Sequence, residues 1–323
     1  MRAIVCSGNG GPSELSVAEA PEPVAAPGQI VLEVHAAGVN FPDVLMSQGL
    51  YQVKPPLPFV PGVEAAGVVV ATGEGVTGLR LGQRVVAGTL GAFAERAMAR
   101  ATHTVALPDA IDFVTAAGTM MTYGTSYHAL VDRAALKAGE TLLVTGAGGG
   151  VGIASVALGK ALGARVIATA GSEPKRAAAL RAGADVALDA ASPDLVEKIK
   201  AESNSGFDVA IDNVGGAQFD AALRSARWRA RLLVVGFASG TIPQIAANRL
   251  LLRELDVLGV YWGDWAARAP EANRANFATM FEMMAKGSLR PAIAAAYVFD
   301  QAPQAVTDLM ERRLVGKGVV LVR

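Results

Sequence analysis

The stretch from Thr141 to Ala170 most narrowly limits what this chain can fold into. An apolar run, Leu142-Leu-Val-Thr145, meets the glycine cluster Gly146-Ala-Gly-Gly-Gly-Val-Gly152. Small residues then continue to Gly163, and a second apolar run follows, Arg165-Val-Ile-Ala-Thr-Ala170. Strand, turn, helix and strand within about 30 residues form the context in which a glycine-rich loop binds a dinucleotide. Residues without side chains let the backbone approach a pyrophosphate, and the helix behind them turns its positive end toward the phosphates. In the register of G-x-G-x-x-G the loop is Ala147-Gly148-Gly149-Gly150-Val151-Gly152, with alanine at the first glycine. Gly149 and Gly152 keep the positions needed for close pyrophosphate approach and tight helix–strand packing. The segment implies a nicotinamide or flavin nucleotide, although a glycine pattern alone would also suit an ordinary α/β turn.

The end of the second run separates the two forms of the nicotinamide nucleotide. A loop selecting NAD has an Asp or Glu about 20 residues on, bound to the ribose 2′-hydroxyl. Here the strand ends Thr169-Ala-Gly-Ser-Glu-Pro-Lys-Arg176, with no carboxylate at its tip. Ala170 and Gly171 leave room, and Ser172, Lys175 and Arg176 supply a hydroxyl and cations suited to a 2′-phosphate. NADPH is the expected cofactor. Ser172 also reads as an ordinary N-cap, with Pro174 in the first turn behind it. Glu173 opposes this reading if its carboxylate turns inward.

Composition removes other classes. Twenty-nine Lys and Arg balance 29 Asp and Glu, so a nucleic-acid partner, which draws on a basic surface, is not expected. No run of about 18 or more apolar residues and no apolar leader core is present, so a cytoplasmic protein without a membrane partner is expected. Cys6 is the single cysteine, and His35, His103 and His128 are far apart without ligand spacing. No metal site is expected.

With 323 residues, 52% of them hydrophobic, the chain can fill two cores. To about residue 118, short apolar runs (Ile30 to Val34, Gly67 to Ala71, Arg84 to Ala87) alternate with Gly and Pro turns, which suggests a small barrel. From about Ala134 the alternation of strand and helix calls for a parallel sheet. Strands are expected at Thr141–Thr145, Arg165–Ala170, Val186–Asp189, Phe207–Val214, Arg231–Phe237 and Leu255–Tyr261. A helix with Ser192 as cap and Pro193 at its first position should lie between the third and fourth. Helices around Asn273–Lys286 and Pro303–Arg313 and a strand at Lys317–Val322 complete the chain.

Several separated segments, in this order, resemble one family. They are Gly38-Val-Asn-Phe-Pro-Asp43, Gly49-Leu-Tyr51, Pro61-Gly-Val-Glu-Ala-Ala-Gly67, Gly82-Gln-Arg-Val85, the glycine loop and Gly316-Lys-Gly-Val-Val-Leu321. Over essentially its whole length the chain is similar to the medium-chain dehydrogenase/reductase superfamily, and within it to the zinc-independent, zeta-crystallin-like NADPH:quinone oxidoreductases. The resemblance implies a GroES-like β-barrel catalytic domain, residues 1–118 completed by 265–323, and a doubly wound Rossmann domain, residues 119–264, that binds NADPH. Zinc-dependent relatives have an early barrel cysteine and Gly-His-Glu where this chain reads Gly62-Val63-Glu64, and they carry a four-cysteine structural lobe that is missing here. Without a Lewis acid, the expected acceptors are quinones or activated C=C bonds rather than alcohols or simple ketones.

The same resemblance assigns residues. Asn40, Asp43 and Tyr51 should surround the mouth of the interdomain cleft. Asn40 faces the nicotinamide, Tyr51 matches the proposed proton donor of the similar enoyl-thioester reductases, and the two are the expected catalytic residues, positioning or polarising the acceptor. A phenol there could protonate the enolate or hydroquinone anion left by hydride transfer. Tyr51 could equally be an aromatic wall, Asn40 could tie down a turn, and Asp43 could fix local backbone. Cofactor contacts are expected from Asn40, Thr125, Ala147, Gly148, Gly149, Gly150, Val151, Gly152, Ser172, Lys175, Phe237 and Ser239. Asp189-Ala190 stands where some relatives place a tyrosine beside the 2′-phosphate, which argues against NADPH. The edge strand Leu255–Trp262 resembles the one through which such proteins form homodimers. Tyr261, Trp262 and Trp265 fit either a substrate cleft or core packing. The expected function is therefore NADPH-dependent reduction of a small quinone or α,β-unsaturated carbonyl. Enoyl-thioester or enone reduction, and a non-catalytic NADPH-binding sensor or lens-type protein, are the alternatives.

Overall fold

The structure, a computed structural model, describes all residues from Met1 to Arg323. The chain divides into two units. The first comprises Met1–Met121, Ala266–Gly287 and Ile293–Arg323, and the second Thr122–Trp265 and Ser288–Ala292. In chain order the first unit contains β1 (Arg2–Cys6), β2 (Leu15–Glu19), β3 (Gln29–Gly38), α1 (Phe41–Ser47), β4 (Glu64–Thr72), β5 (Arg84–Gly88), β6 (Arg96–Arg100), β7 (Thr104–Ala106) and α2 (Phe113–Ala117). The chain passes into the second unit within α3 (Met120–Tyr127). There follow β8 (Thr141–Val144), α4 (Gly150–Ala161), β9 (Arg165–Ala170), α5 (Glu173–Arg181), β10 (Val186–Asp189), α6 (Leu195–Glu202), β11 (Phe207–Asp212), α7 (Gly216–Ser225), β12 (Ala226–Val234), α8 (Ala247–Leu251) and β13 (Asp256–Gly259). It returns within α9 (Trp262–Arg268) and ends with α10 (Pro270–Ala285), β14 (Ile293–Val298), α11 (Ala302–Met310) and β15 (Lys317–Leu321).

In the first unit β3 is the hub of a seven-stranded sheet ordered β14-β15-β3-β4-β5-β7, with β6 also paired to β3. All its pairings are antiparallel except β14 with β15. Two register shifts in the β3–β4 ladder, at Val31/Leu32 and Val34/Ala36, let the sheet curl. The strands close over Ile4, Ile30, Leu32, Val34, Val85, Phe93 and Val320. Full burial of such side chains contributes about 1.5–3 kcal/mol each. The close approach of β3 to β4 explains one motif glycine: a Cβ on Gly67 would lie 1.9 Å from the Glu33 carbonyl oxygen.

The second unit is a six-stranded sheet ordered β10-β9-β8-β11-β12-β13, parallel throughout. This is the strand order of a doubly wound dinucleotide fold, which reverses between its first and fourth strands, here β8 and β11. Helices cover both faces, so a central strand such as Thr141-Leu-Leu-Val144 is buried on both sides. Leu143, Ile167, Phe207, Phe219 and Leu232 lie in one apolar cluster of this unit.

The barrel-plus-Rossmann architecture is the one expected, and all six expected parallel strands are present. Their limits differ in places. β12 begins at Ala226 rather than Arg231: Ala226 pairs with Phe207, an irregularity follows in which Arg229 takes φ +59°, and regular pairing resumes at Arg231 opposite Val209, where the expected strand starts. The helix expected from Ser192 starts at Leu195 with Asp194 as N-cap. Ser192 instead closes a turn, its hydroxyl 2.5 Å from Asp194 Oδ1. β14 was not expected, since Ile293-Ala-Ala-Ala-Tyr-Val298 has the alanine content of a helix. No helix is long and apolar enough to cross a membrane.

The Gly67 contact gives a direct test. Gly67→Ala forces β3 and β4 apart and is expected to lower the stability of the first unit by about 1–3 kcal/mol. Chemical denaturation followed by far-ultraviolet circular dichroism measures this, and an unchanged midpoint would contradict the close approach.

Candidate active site

The nucleotide loop lies where β8 ends and α4 begins. Gly146 adopts φ +61°, which favours glycine, and its amide neighbour Ala147 donates to Thr169 O at 3.0 Å. Gly149 is the N-cap of α4, and Gly150, Val151 and Gly152 form its first turn. The first amides of a helix have no partner inside it. A Cβ on Gly152 would lie 2.3 Å from Gly146 O and 2.6 Å from Ala147 Cα, so only glycine allows this turn to close. A Cβ on Gly149 would meet nothing nearer than 3.6 Å. One motif glycine thus serves packing and the other leaves an open approach, which fits a pyrophosphate.

The tip of β9 adds charge to this cradle. Lys175, in the first turn of α5, lays its aliphatic stem over the loop, and a Cβ on Gly148 would lie 2.5 Å from Lys175 Cβ. Ser172 occupies the N-cap of α5, yet its hydroxyl makes no capping hydrogen bond. Glu173 does not turn inward: its side chain is mostly exposed and pairs with Arg176 at 2.9 Å. Arg176 also lies 3.5 Å from Asp189, so the carboxylate of the Asp189-Ala190 segment faces a cation. Ala170 and Gly171 leave the tip without an acidic side chain.

At the reversal point a third group gathers. Thr145 Oγ1 donates to the buried Asp212 carboxylate at 2.5 Å, and Asn213 donates from Nδ2 to Thr145 O at 2.9 Å. Burial raises the Asp212 carboxyl, offset by the Thr145 hydroxyl and the backbone N–H groups of Gly215 and Val214. Asn213 Oδ1 is buried and has no hydrogen-bond partner. An acceptor left so costs about 1–3 kcal/mol, which a ligand donor would recover. Sequence reasoning missed Asn213; its only signal is an amide directly after an apolar strand beside the reversal point. The loop holding Phe237 and Ser239 packs on the same corner. Ala238 and Ser239 donate their backbone N–H groups to Asn213 O and Val214 O, at 3.2 and 2.9 Å. Thr125 is half-buried on α3, next to Ser126, whose hydroxyl donates to Val151 O at 3.2 Å. Apart from Thr125 on α3, the second-unit residues expected from the sequence thus fall in three neighbouring places at the ends of β8, β9, β11 and β12.

Asn40 and Tyr51 belong to the first unit, at opposite ends of α1. Asn40 is the N-cap and forms a capping box with Asp43. Asp43 accepts from Asn40 N at 2.8 Å and Gly62 N at 3.2 Å. Burial pushes the Asp43 carboxyl up to about 7, against those N–H groups and the attraction of Lys317. Asn40 Nδ2 donates to Gly38 O at 3.1 Å and to Glu64 Oε1 at 2.8 Å. The Lys317 ammonium donates to Asn40 Oδ1 at 2.6 Å, Glu64 Oε1 at 2.5 Å and Val39 O at 3.0 Å. Tyr51 lies half-buried in the turn beyond α1.

These residues do not suit a catalytic zinc. Val63 has no donor atom, and both Glu64 oxygens are engaged, Oε1 as above and Oε2 by Met121 N–H at 2.8 Å. His35 stacks on Phe113, and His128 stacks on Trp265 while bonding Asp132, so each has a packing partner. No group of three or more His, Cys, Asp or Glu side chains is placed to hold a metal ion.

Comparison with known proteins agrees with this geometry. Residues 26–109 match the family described as alcohol dehydrogenase GroES-like domain, and residues 150–286 the family described as zinc-binding dehydrogenase. A Nematostella vectensis protein named quinone oxidoreductase-like protein 2 homolog is 36% identical over 99% of this chain and 88% of its own length. A mycobacterial structure complexed with NADPH superimposes with TM-score 0.92 at 32% identity, covering 100% of both chains. Escherichia coli quinone oxidoreductase complexed with NADPH gives TM-score 0.91 at 29% identity, again over 100% of both. From its glycine cradle to its closing strand, the chain belongs to the quinone oxidoreductase family of the medium-chain dehydrogenase/reductase superfamily.

Proposed function

We propose that this protein is an NADPH-dependent, zinc-independent reductase that delivers hydride to quinones or to C=C bonds conjugated with a carbonyl. The observation that carries the reading is the Lys175 side chain laid over Gly148, beside a strand tip without a carboxylate. A cation there pairs with a 2′-phosphate, whereas a 2′-hydroxyl gains nothing from it. The quinone oxidoreductases that the chain resembles over its full length support the choice of acceptor.

Bound NADPH would supply the two-electron hydride equivalent. The residues of this chain do the rest. Ala147, Gly148, Gly149, Gly150, Val151 and Gly152 receive the pyrophosphate on bare backbone and the first amides of α4. Ser172 and Lys175 hold the 2′-phosphate. Thr125, Phe237 and Ser239 position the nicotinamide and its ribose, and Asn213 Oδ1 accepts from a hydroxyl or carboxamide donor. Asn40 keeps the first-unit segment that meets the acceptor in one conformation. Tyr51 Oη donates a proton to the acceptor oxygen as negative charge develops there, so that hydride and proton together add two hydrogens. Orientation of two planar reactants and exclusion of water supply most of the acceleration.

We further propose a homodimer through β13. This strand ends the parallel sheet with one edge unpaired within the chain, and Leu251, Leu252 and Tyr261 nearby are exposed. Light scattering should give twice the chain mass of 33.1 kDa; a single-chain mass would remove the dimer.

The reaction is tested by NADPH oxidation followed by absorbance, with quinone, enone and enoyl-thioester panels. Turnover above the buffer rate with at least one class is expected, and none in all three would overturn the reading. Lys175→Ala should weaken NADPH about 10- to 100-fold, the loss of one charge-assisted bond, and leave NADH nearly unchanged. Equal losses for both nucleotides would contradict the 2′-phosphate role. Tyr51→Phe should lower kcat on enoyl substrates by about 100-fold with NADPH affinity unaltered. An unchanged kcat would make Tyr51 a wall.

A further inference from the structure

The least expected feature of the first unit is a cation at its centre. Lys317 opens β15, is 3% exposed, and is joined to residues 277 and 253 positions earlier in the chain. An ammonium has three N–H donors, and all three are used, on Val39 O, Asn40 Oδ1 and Glu64 Oε1. These contacts fix which way the Asn40 amide faces. Flipping it would set its NH₂ group against the ammonium and its oxygen against the Glu64 carboxylate. Gly38 guards the same space: a Cβ there would lie 2.1 Å from Glu64 Oε1 and 2.3 Å from Ala117 O. Asp43 closes the far side by holding Asn40 N.

We propose that Lys317 is a positioning residue for the reduction, its ammonium locking the Asn40 amide and the segment from Gly38 to Asp43 into one conformation. The proposal rests on the functional reading above, in which that segment meets the acceptor. A buried ion pair adds little net stability over apolar residues of similar volume, and its best-attested value is to specify one arrangement over others. Here the arrangement specified is that of the N-cap of α1, bound by the last strand of the chain. Buried Glu64 stays compatible with the barrel only while the ammonium faces it, so the pair and the amide form one unit.

The test compares wild type, Lys317→Met and the double variant Lys317→Met/Glu64→Gln. Melting temperature, NADPH affinity, kcat and KM are measured for all three, with a crystal structure of the double variant. Lys317→Met alone should melt lower, since it strands the Glu64 charge. The double variant removes both charges and should recover most of the melting temperature. Its kcat should remain depressed by about tenfold or more, with NADPH affinity within about twofold of wild type. Its Asn40 amide should be turned or displaced. Wild-type kcat in the double variant would show that Lys317 only neutralises Glu64 and would overturn the proposal. An Asn40 segment unmoved in that structure would overturn it as well. A wild type that oxidises no NADPH would instead overturn the functional reading, and the catalytic half of this proposal with it.

Discussion

A side chain on Gly152 would collide with the Gly146 carbonyl oxygen at 2.3 Å, and on this bare contact the nucleotide half of the protein depends. It brings the start of α4 against the end of β8, so that the helix amides emerge where the glycines leave the backbone open. Gly159, two turns on, repeats the theme: a Cβ there would lie 2.4 Å from Leu142 Cδ2. Helix glycines cost about 0.5–1 kcal/mol each relative to alanine. Close packing of α4 on the sheet offsets that cost, with Ile153, Val156 and Leu158 buried. The bend is thus rigid where it packs and empty where a ligand approaches.

The first unit solves the opposite problem. It excludes water from a set of charged groups rather than leaving backbone bare. Glu64, Asp43 and Lys317 are all nearly inaccessible, and such groups are tolerated only when each polar atom is paired. The pairing is complete: two backbone N–H groups serve Asp43, one serves Glu64, and the ammonium spends its donors on three oxygens. Asn40, expected to face the nicotinamide, has its amide committed to this network. Those bonds hold the turn at the start of α1, and the proposed role of Asn40 is built on them.

Legibility of the fold followed from chemistry repeated at short range. The inner parallel strands were readable because apolar runs two-sided in their burial end at Gly, Asn or Asp, and because glycines punctuate the first turn. The turn from Ala147 into α4 and the Ser172 N-cap of α5 were readable as local structure for the same reason. β14 was not, since alanine carries no strand signal and its pairing with β15 is decided by tertiary contact. The early start of β12 was hidden by Arg227 and Arg229, one of which pairs with Asp208 at the strand rim. Asn213 gave no pattern, only an orphaned oxygen once the strands were in place. Lys317 appeared in the sequence as part of a terminal glycine signature; its partners lie more than 250 positions away, beyond the reach of any spacing rule.

The central claim is that a side-chain-free bend flanked by Lys175 and Ser172 binds the phosphorylated dinucleotide. Isothermal titration calorimetry of the purified wild-type protein with NADPH, and separately with NADH, measures it most directly. The account predicts one NADPH per chain, held at least about tenfold more tightly than NADH, the worth of one added ionic contact. Absence of binding by either nucleotide, or tighter binding of NADH, would contradict it.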